Sequence, residues 1–203
     1  MKFDEITLEG KYVKLEPLTE KHKEGLCEAI RDGDLWNLHV TLVPHPSDID
    51  SFINTAREVR ESGDGLCFAT INKDNNQIVG STRFMKANIP NQRVEIGFTF
   101  LSKKAQKTRM NTEAKMLMLS HAFEQMQFNR VELLTDYLNT KSRNAILRLG
   151  AKEEGLLRSH MVMPDGRIRD SVIFSIIKGE WPGIKQHLAF KINEQKTVST
   201  TGM

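Results

Sequence analysis

Residues 106–112, Gln-Lys-Thr-Arg-Met-Asn-Thr, stand between the apolar run VEIGFTF (94–100) and the long helical pattern MLMLSHAFEQM (116–126). A strand, a polar turn and a helix start together present backbone N–H groups to an anion. The turn holds no glycine, the residue such loops use to bring backbone close to phosphate. It carries Lys107 and Arg109 instead, two cations that can pair with phosphate oxygens. The blander reading of KKAQKTR is a solvated surface, and Lys103 and Lys104 are read that way. Upstream, Val94, Ile96, Phe98 and Phe100 alternate onto one strand face, so the Glu95 carboxylate projects from the other. His22, His39, His45, His121, His160 and His187 show no ligand spacing, and neither C-x-x-C nor H-E-x-x-H occurs, so no metal site is expected.

These groups need a scaffold. The chain has 203 residues, 39% hydrophobic and 27% charged, enough for one domain with a sizeable core. No apolar run reaches the ~18 residues of a membrane span, and MKFDEITLEGKYVKLEP carries acids where a signal peptide needs an apolar stretch, so a cytoplasmic protein with no membrane partner is expected. Cys27 and Cys67 read as reduced core residues. A formal charge of +3 is too mild to argue for nucleic acid.

Along the chain, KYVKLEPL reads as a strand, and TEKHKEGLCEAIRDG as a helix with Thr19 as N-cap. LWNLHVTLVPHP is a loop, and SDIDSFINTAREVRESG a second helix ending at Gly63. Three strands follow in GLCFATIN, QIVGSTRFMKA and RVEIGFTFL. A helix over about 112–128 has too wide an apolar stripe for a surface helix, so it packs deep against a sheet, with His121 as a packing residue. RVELLTDYL is a strand and TKSRNAILRLG a helix, after which GLLRSHMVM and IRDSVIFSII form a hairpin around PDGR. A short helix begins near Trp181 and Pro182. Residues 1–192 form a single domain, and 193–203 read as a disordered tail.

This order, with NTEAKMLMLSHAFE, RVEL, the N-x-x-S of NTKS, RLGA, EGLLR and DGRIRDSVIFSII followed by EWP, resembles the GNAT acyl-CoA N-acyltransferases over roughly residues 8–188. The narrower resemblance is to the RimJ/RimL-like ribosomal-protein N-terminal acetyltransferases. It implies an α/β fold whose mixed, centrally splayed sheet of about seven strands is flanked by about four helices. The pantetheine arm of acetyl-CoA would lie between the strand at 93–101 and the strand at 130–138. The family loop Q/R-x-x-G-x-G/A maps onto Gln106, Lys107, Thr108, Arg109, Met110 and Asn111, with Thr112 next. Arg109 then stands at the first glycine and Asn111 at the second. If the loop needs a left-handed residue at 109, arginine costs roughly 1–2 kcal/mol, offset by its pairing with phosphate. Asn111 would cap the helix.

Acetyl transfer to an amine needs proton removal, carbonyl polarisation and protonation of the leaving thiolate. The resemblance makes Glu95 the base and the backbone of Gly97, Phe98, Thr99 and Phe100 the carbonyl donors. Asn139 would bond a pantetheine amide, and Ser142 would approach the sulfur, although a helix cap is the commoner role for such a serine. Ile146 occupies the slot of the tyrosine acid used by many relatives, and Tyr137 is a weaker acid candidate. His39, His45, Trp36 and Asp170 could touch the acceptor. The expected function is an acetyl-CoA-dependent N-acetyltransferase acting on a primary amine, either a peptide N-terminus or a small amine. The missing glycines and tyrosine suggest the alternative of a catalytically weak CoA-binding sensor. A basic nucleic-acid module on 102–109 and 141–148 lacks interleaved aromatics. A homodimer is left open.

Overall fold

The computed structural model describes residues 5–194. Its elements are β1 (Leu8–Glu9), β2 (Val13–Pro17), α1 (Lys23–Arg31), α2 (Ile49–Glu61), β3 (Leu66–Asn72), β4 (Gln77–Asn88) and β5 (Arg93–Leu101). They continue with α3 (Arg109–Ser120), β6 (Arg130–Asp136), α4 (Thr140–Arg148), β7 (Lys152–Val162), β8 (Ile168–Ile177) and α5 (Trp181–Glu194). One eight-stranded sheet runs β1-β2-β3-β4-β5-β6-β8-β7. Its neighbours are antiparallel except β5 and β6, which are parallel. The expected order is present, with the two-residue β1 added in front. Helix α5 runs through Glu194, two residues into the expected tail, whose remainder lies outside the described residues.

The two sheet faces bury separate cores. On one, Phe68, Phe84, Val94, Ile96, Val131 and Phe174 pack with Met118, Phe123 and Trp181 from α3, the turn after it and α5. On the other, Leu26, Ile30, Ile49 and Ile53 of α1 and α2 cover Cys67, Ala69 and Phe100. Both cysteines are buried and free of disulfides. Helix α3 is as deep as its wide apolar stripe implies, and it also buries Thr112, Glu113 and Lys115. It continues into one π-helical turn, His121–Gln125, where the His121 ring lies 6.2 Å from that of Phe84.

Strand β5 departs from simple alternation. Its register with β4 slips between the pairs Arg83–Gly97 and Ser81–Phe100, and Phe98 takes a left-handed φ of 46°. A bulge of this kind adds a residue and reverses the side-chain parity beyond it. Val94 and Ile96 therefore face α3, while Phe100 packs under α1 and α2 and Phe98 is partly exposed. The expectation that all four share one face holds only as far as Ile96.

Candidate active site

The parallel pairing of β5 with β6 lasts for Arg93–Arg130, Val94–Val131 and Glu95–Glu132, and then stops. Beyond it β5 stays with β4 and β6 with β8, so Gly97 to Leu101 have no strand partner on the β6 side. The sheet opens there into a wedge with Glu95 at its apex. Glu95 is only 5% exposed, and its Oε2 accepts a hydrogen bond from Lys86 Nζ at 2.9 Å. A Cβ added at Gly97 would come within 3.1 Å of Glu95 Oε1, so the carboxylate leans along the strand over the glycine.

The bulge is braced from the α3 side. Lys115 Nζ donates to Thr82 Oγ1 at 2.9 Å and Thr99 Oγ1 at 2.5 Å, and the two hydroxyls lie 2.8 Å apart. Lys115 is enclosed with no carboxylate partner among the described residues, and burial lowers its pKa from 10.5 to about 7.

The loop after β5 has a different geometry from the one expected. Lys107 holds the left-handed conformation, with φ 61°, and Arg109 is the first residue of α3. Thr108 is the N-cap: its Oγ1 accepts from Met110 N at 3.3 Å and donates to the Ala105 carbonyl at 2.7 Å. Asn111 lies inside the first turn and does not cap the helix, which begins three residues before the expected Thr112. The physical reason is that a threonine hydroxyl in extended backbone closes the turn as soon as Lys107 has reversed the chain. Arg109 lays its guanidinium over the Tyr12 ring, 4.2 Å from the centroid. Gln106 donates through Nε2 to the Leu101 carbonyl at 2.9 Å, and Met110 packs with Val79, Leu101 and Ala105. The amides of Lys107 and Thr108 make no backbone hydrogen bond among the described residues.

Helix α3 is clasped to the N-terminal strands by Glu113. Its carboxylate accepts from the backbone N–H groups of Lys11, Tyr12 and Val13 at 2.9, 2.7 and 2.8 Å. Gly10 is required beside it, since a Cβ there would lie 2.5 Å from the carboxyl carbon.

Across the wedge, Asn139 is the N-cap of α4, its Oδ1 accepting from Ser142 N at 3.0 Å. Its Nδ2 reaches the Val40 carbonyl at 3.4 Å. Ser142 lies in the first turn of α4, half-buried, and it is not the cap. Ile146 is buried, and Tyr137 lies just beyond β6 with its ring exposed. Arg167 bonds both Asp136 Oδ2 at 2.5 Å and the His39 carbonyl at 2.8 Å, tying the α1–α2 connection to β6 and the β7–β8 turn.

That connection walls a cleft of about 620 Å³ whose lining includes Trp36, His39, His45, Phe52, Phe98 and Met163. Three of the residues expected near an acceptor therefore line it. Asp170 does not: its Oδ1 accepts from Ser159 N at 2.7 Å. Sequence reasoning passed over Arg83, Lys86, Glu113 and Lys115. The available signal was a charged residue set inside an otherwise apolar strand or helix pattern, as in QIVGSTRFMKA and NTEAKMLML.

A family model described as an acetyltransferase (GNAT) domain matches residues 13–152. The chain belongs to the GNAT acetyltransferase family. It is 25% identical over 178 residues to a Bacillus licheniformis protein named as the uncharacterized N-acetyltransferase p20, covering 87% of this chain and 99% of that one. A Bacillus subtilis (strain 168) protein provisionally named as the ribosomal N-acetyltransferase YdaF is 34% identical over 95 residues, 47% of this chain and 51% of that one. The crystal structure of a GCN5-related N-acetyltransferase from Brucella melitensis superimposes with a TM-score of 0.84 at 30% identity, covering 95% of this chain and 87% of that one. Mycobacterium smegmatis RimJ, solved with CoA-disulfide, shares the fold with a TM-score of 0.76 at 21% identity, covering 88% of each chain.

Proposed function

We propose that this acetyltransferase moves the acetyl group of acetyl-CoA to a primary amine that enters through the cleft beside Phe98. The observation that carries the reading is the place of Glu95. It is the last β5 residue paired with β6 and is nearly fully buried, and Phe98, three residues further along the same strand, lines the cleft. The residues present suit the donor. The wedge leaves one edge of β5 without a strand partner, and the 106–112 loop offers the unbonded amides of Lys107 and Thr108 at the start of a helix. Lys107 and the first turn of α3, including Met110, Asn111 and Thr112, would hold the diphosphate, with Arg109 behind them on Tyr12. The Gly97–Phe100 backbone and Asn139 would hold the pantetheine arm.

When bound, acetyl-CoA supplies the acetyl group. Glu95 takes a proton from the acceptor ammonium, directly or through water, because the free amine is the nucleophile. Lys86 pairs with this carboxylate at 2.9 Å, and the acceptor ammonium would take its place. The Ser142 hydroxyl is the candidate donor to the leaving thiolate, and no tyrosine stands in the Ile146 position to replace it. The names of the relatives make a protein N-terminal α-amine the first acceptor to assay beside small amines. Thiol release from acetyl-CoA, with the acetylated acceptor identified by mass, tests the proposal. CoA binding without amine-dependent thiol release would overturn it in favour of a CoA sensor.

A further inference from the structure

The bulge in β5 lies opposite a single residue of β4. Between the pairs Arg83–Gly97 and Ser81–Phe100, Thr82 alone faces both Phe98 and Thr99. Phe98 is left-handed, with a φ of 46°, a conformation that strains a bulky side chain. In a regular strand residue 98 would follow Val94 and Ile96 onto the α3 face, but in the bulged strand that place falls to Thr99. Thr82 lies on the same face, two residues before the core residue Phe84, and its Oγ1 reaches Met118 Sδ of α3 at 3.7 Å.

Lys115 of α3 ends at this spot. Its Nζ donates to Thr82 Oγ1 at 2.9 Å and to Thr99 Oγ1 at 2.5 Å, and so joins the two lips of the bulge. The hydroxyls are 2.8 Å apart, and Thr99 Oγ1 reaches on to the Gly97 carbonyl at 3.4 Å. Lys115 is 5% exposed, and its helix neighbours Ala114, Met118 and Leu119 belong to the core. An amine buried there needs acceptors. In the regular register it would face the Phe98 ring and lose one of its two hydroxyls. The lysine therefore favours the bulged register and offsets the strain at Phe98.

The bulge shapes the part of β5 that the donor would meet. From Gly97 to Leu101 the β6 side of the strand has no strand partner, and along this edge the pantetheine arm and its thioester would lie. The same reversal sends Phe98 to the lining of the acceptor cleft and Phe100 beneath α1 and α2. Backbone donors stabilise a developing negative charge only when correctly placed, and a displacement of about 1 Å can cost about 10² in rate.

We propose that Lys115 is a positioning residue for acetyl transfer: through Thr82 and Thr99 it holds the Phe98 bulge, and with it the β5 backbone that meets the thioester. It acts through the strand and not on the substrate. The role rests on the acyl-transfer reading of this site and adds a residue to it from outside the wedge.

The test separates the brace from general stability. Lys115→Met keeps the length and removes the donors, whereas Thr82→Val keeps the shape and removes one acceptor. Each should lower kcat about tenfold in the thiol-release assay while changing acetyl-CoA affinity, read by calorimetry, less than about threefold. The double variant should be little worse than either single one, because both break one network, and Thr82→Ser, which keeps the hydroxyl, should retain most of the turnover lost in Thr82→Val. Amide hydrogen exchange over 97–101, measured without ligand, should speed up about tenfold in Lys115→Met. Leu188→Ala, a core truncation in α5, controls for stability alone: it should lower Tm and keep a parent-like kcat. Should Lys115→Met not fold, the two Thr82 variants decide. Parent-like kcat or exchange in Lys115→Met, additive losses in the double variant, no advantage of Thr82→Ser over Thr82→Val, or an equal loss of kcat in Leu188→Ala overturns the proposal while amine acetylation stands. A parent protein that binds CoA and acetylates no amine overturns both.

Discussion

The side-chain nitrogen of Lys115 lies 2.5 Å from Thr99 Oγ1, one residue past the left-handed Phe98, and so ties helix α3 to the β5 bulge. The lysine is fully enclosed, and burial lowers its pKa from 10.5 to about 7. The unfolded chain therefore binds more protons than the folded one between those values, and stability rises with pH across that window. The contribution approaches about 1.4 kcal/mol per pH unit where the difference is a full proton. Lys115→Met should flatten the dependence, read as the parent-minus-variant difference in urea unfolding free energy at pH 7.5 and 9.5. A difference that does not change with pH would mean that the amine stays charged in its site.

Replacing Glu95 by glutamine should lower turnover by about 10² or more while leaving acetyl-CoA affinity close to that of the parent. Calorimetry with acetyl-CoA and steady-state thiol release separate the two effects. Parent-like turnover would remove Glu95 from proton transfer.

The 106–112 loop allows strain and ligand binding to be separated at a single residue. A non-glycine residue in the left-handed region costs about 1–2 kcal/mol, partly offset by the extra freedom glycine has when unfolded. Lys107→Gly should therefore raise the unfolding free energy by about 0.5–1 kcal/mol. Loss of its ammonium should weaken CoA several-fold while leaving a phosphate-free pantetheine fragment unaffected. Tighter CoA binding by this variant would show that the cradle needs only backbone amides.

Glu113 offers a test by removal. Glu113→Ala takes the acceptor from three backbone N–H groups in a largely enclosed turn, and a cost of about 2–4 kcal/mol is expected. Gly10→Ala should cost a similar amount by driving a methyl group into the carboxylate. Chemical denaturation of both variants checks this. A loss below about 0.5 kcal/mol in either would mean that the turn rearranges freely.

Much of the fold was legible because its signals are local. The apolar width of 114–123 sets α3 against the sheet, and PDGR closes the last hairpin at Gly166, which has a φ of 83°. The bulge at Phe98 was not legible, since a left-handed phenylalanine leaves no mark in a run of alternating apolar residues. Reading the loop against a glycine pattern placed its reversal at Arg109, two residues late, because the true reversal falls on a lysine. The placement of Glu95 on the face opposite Val94 and Ile96 was legible from its parity. The burial of Arg83 between two rings was not, because only packing decides whether a strand arginine reaches solvent.

The Glu113 clasp also orders events in time. Its bonds to Lys11 and Tyr12 span 102 and 101 residues of chain, so closing them carries a large loop-closure cost that local contacts do not share. A chain emerging from the ribosome only as far as Asn111 holds a β1–β2 turn whose amides have no acceptor but water. The clasp that joins this turn to α3 cannot close until the first turn of α3 has been made. That turn follows directly from the 106–112 loop, so the contact joining the two ends of the N-terminal half waits on the segment just after that loop.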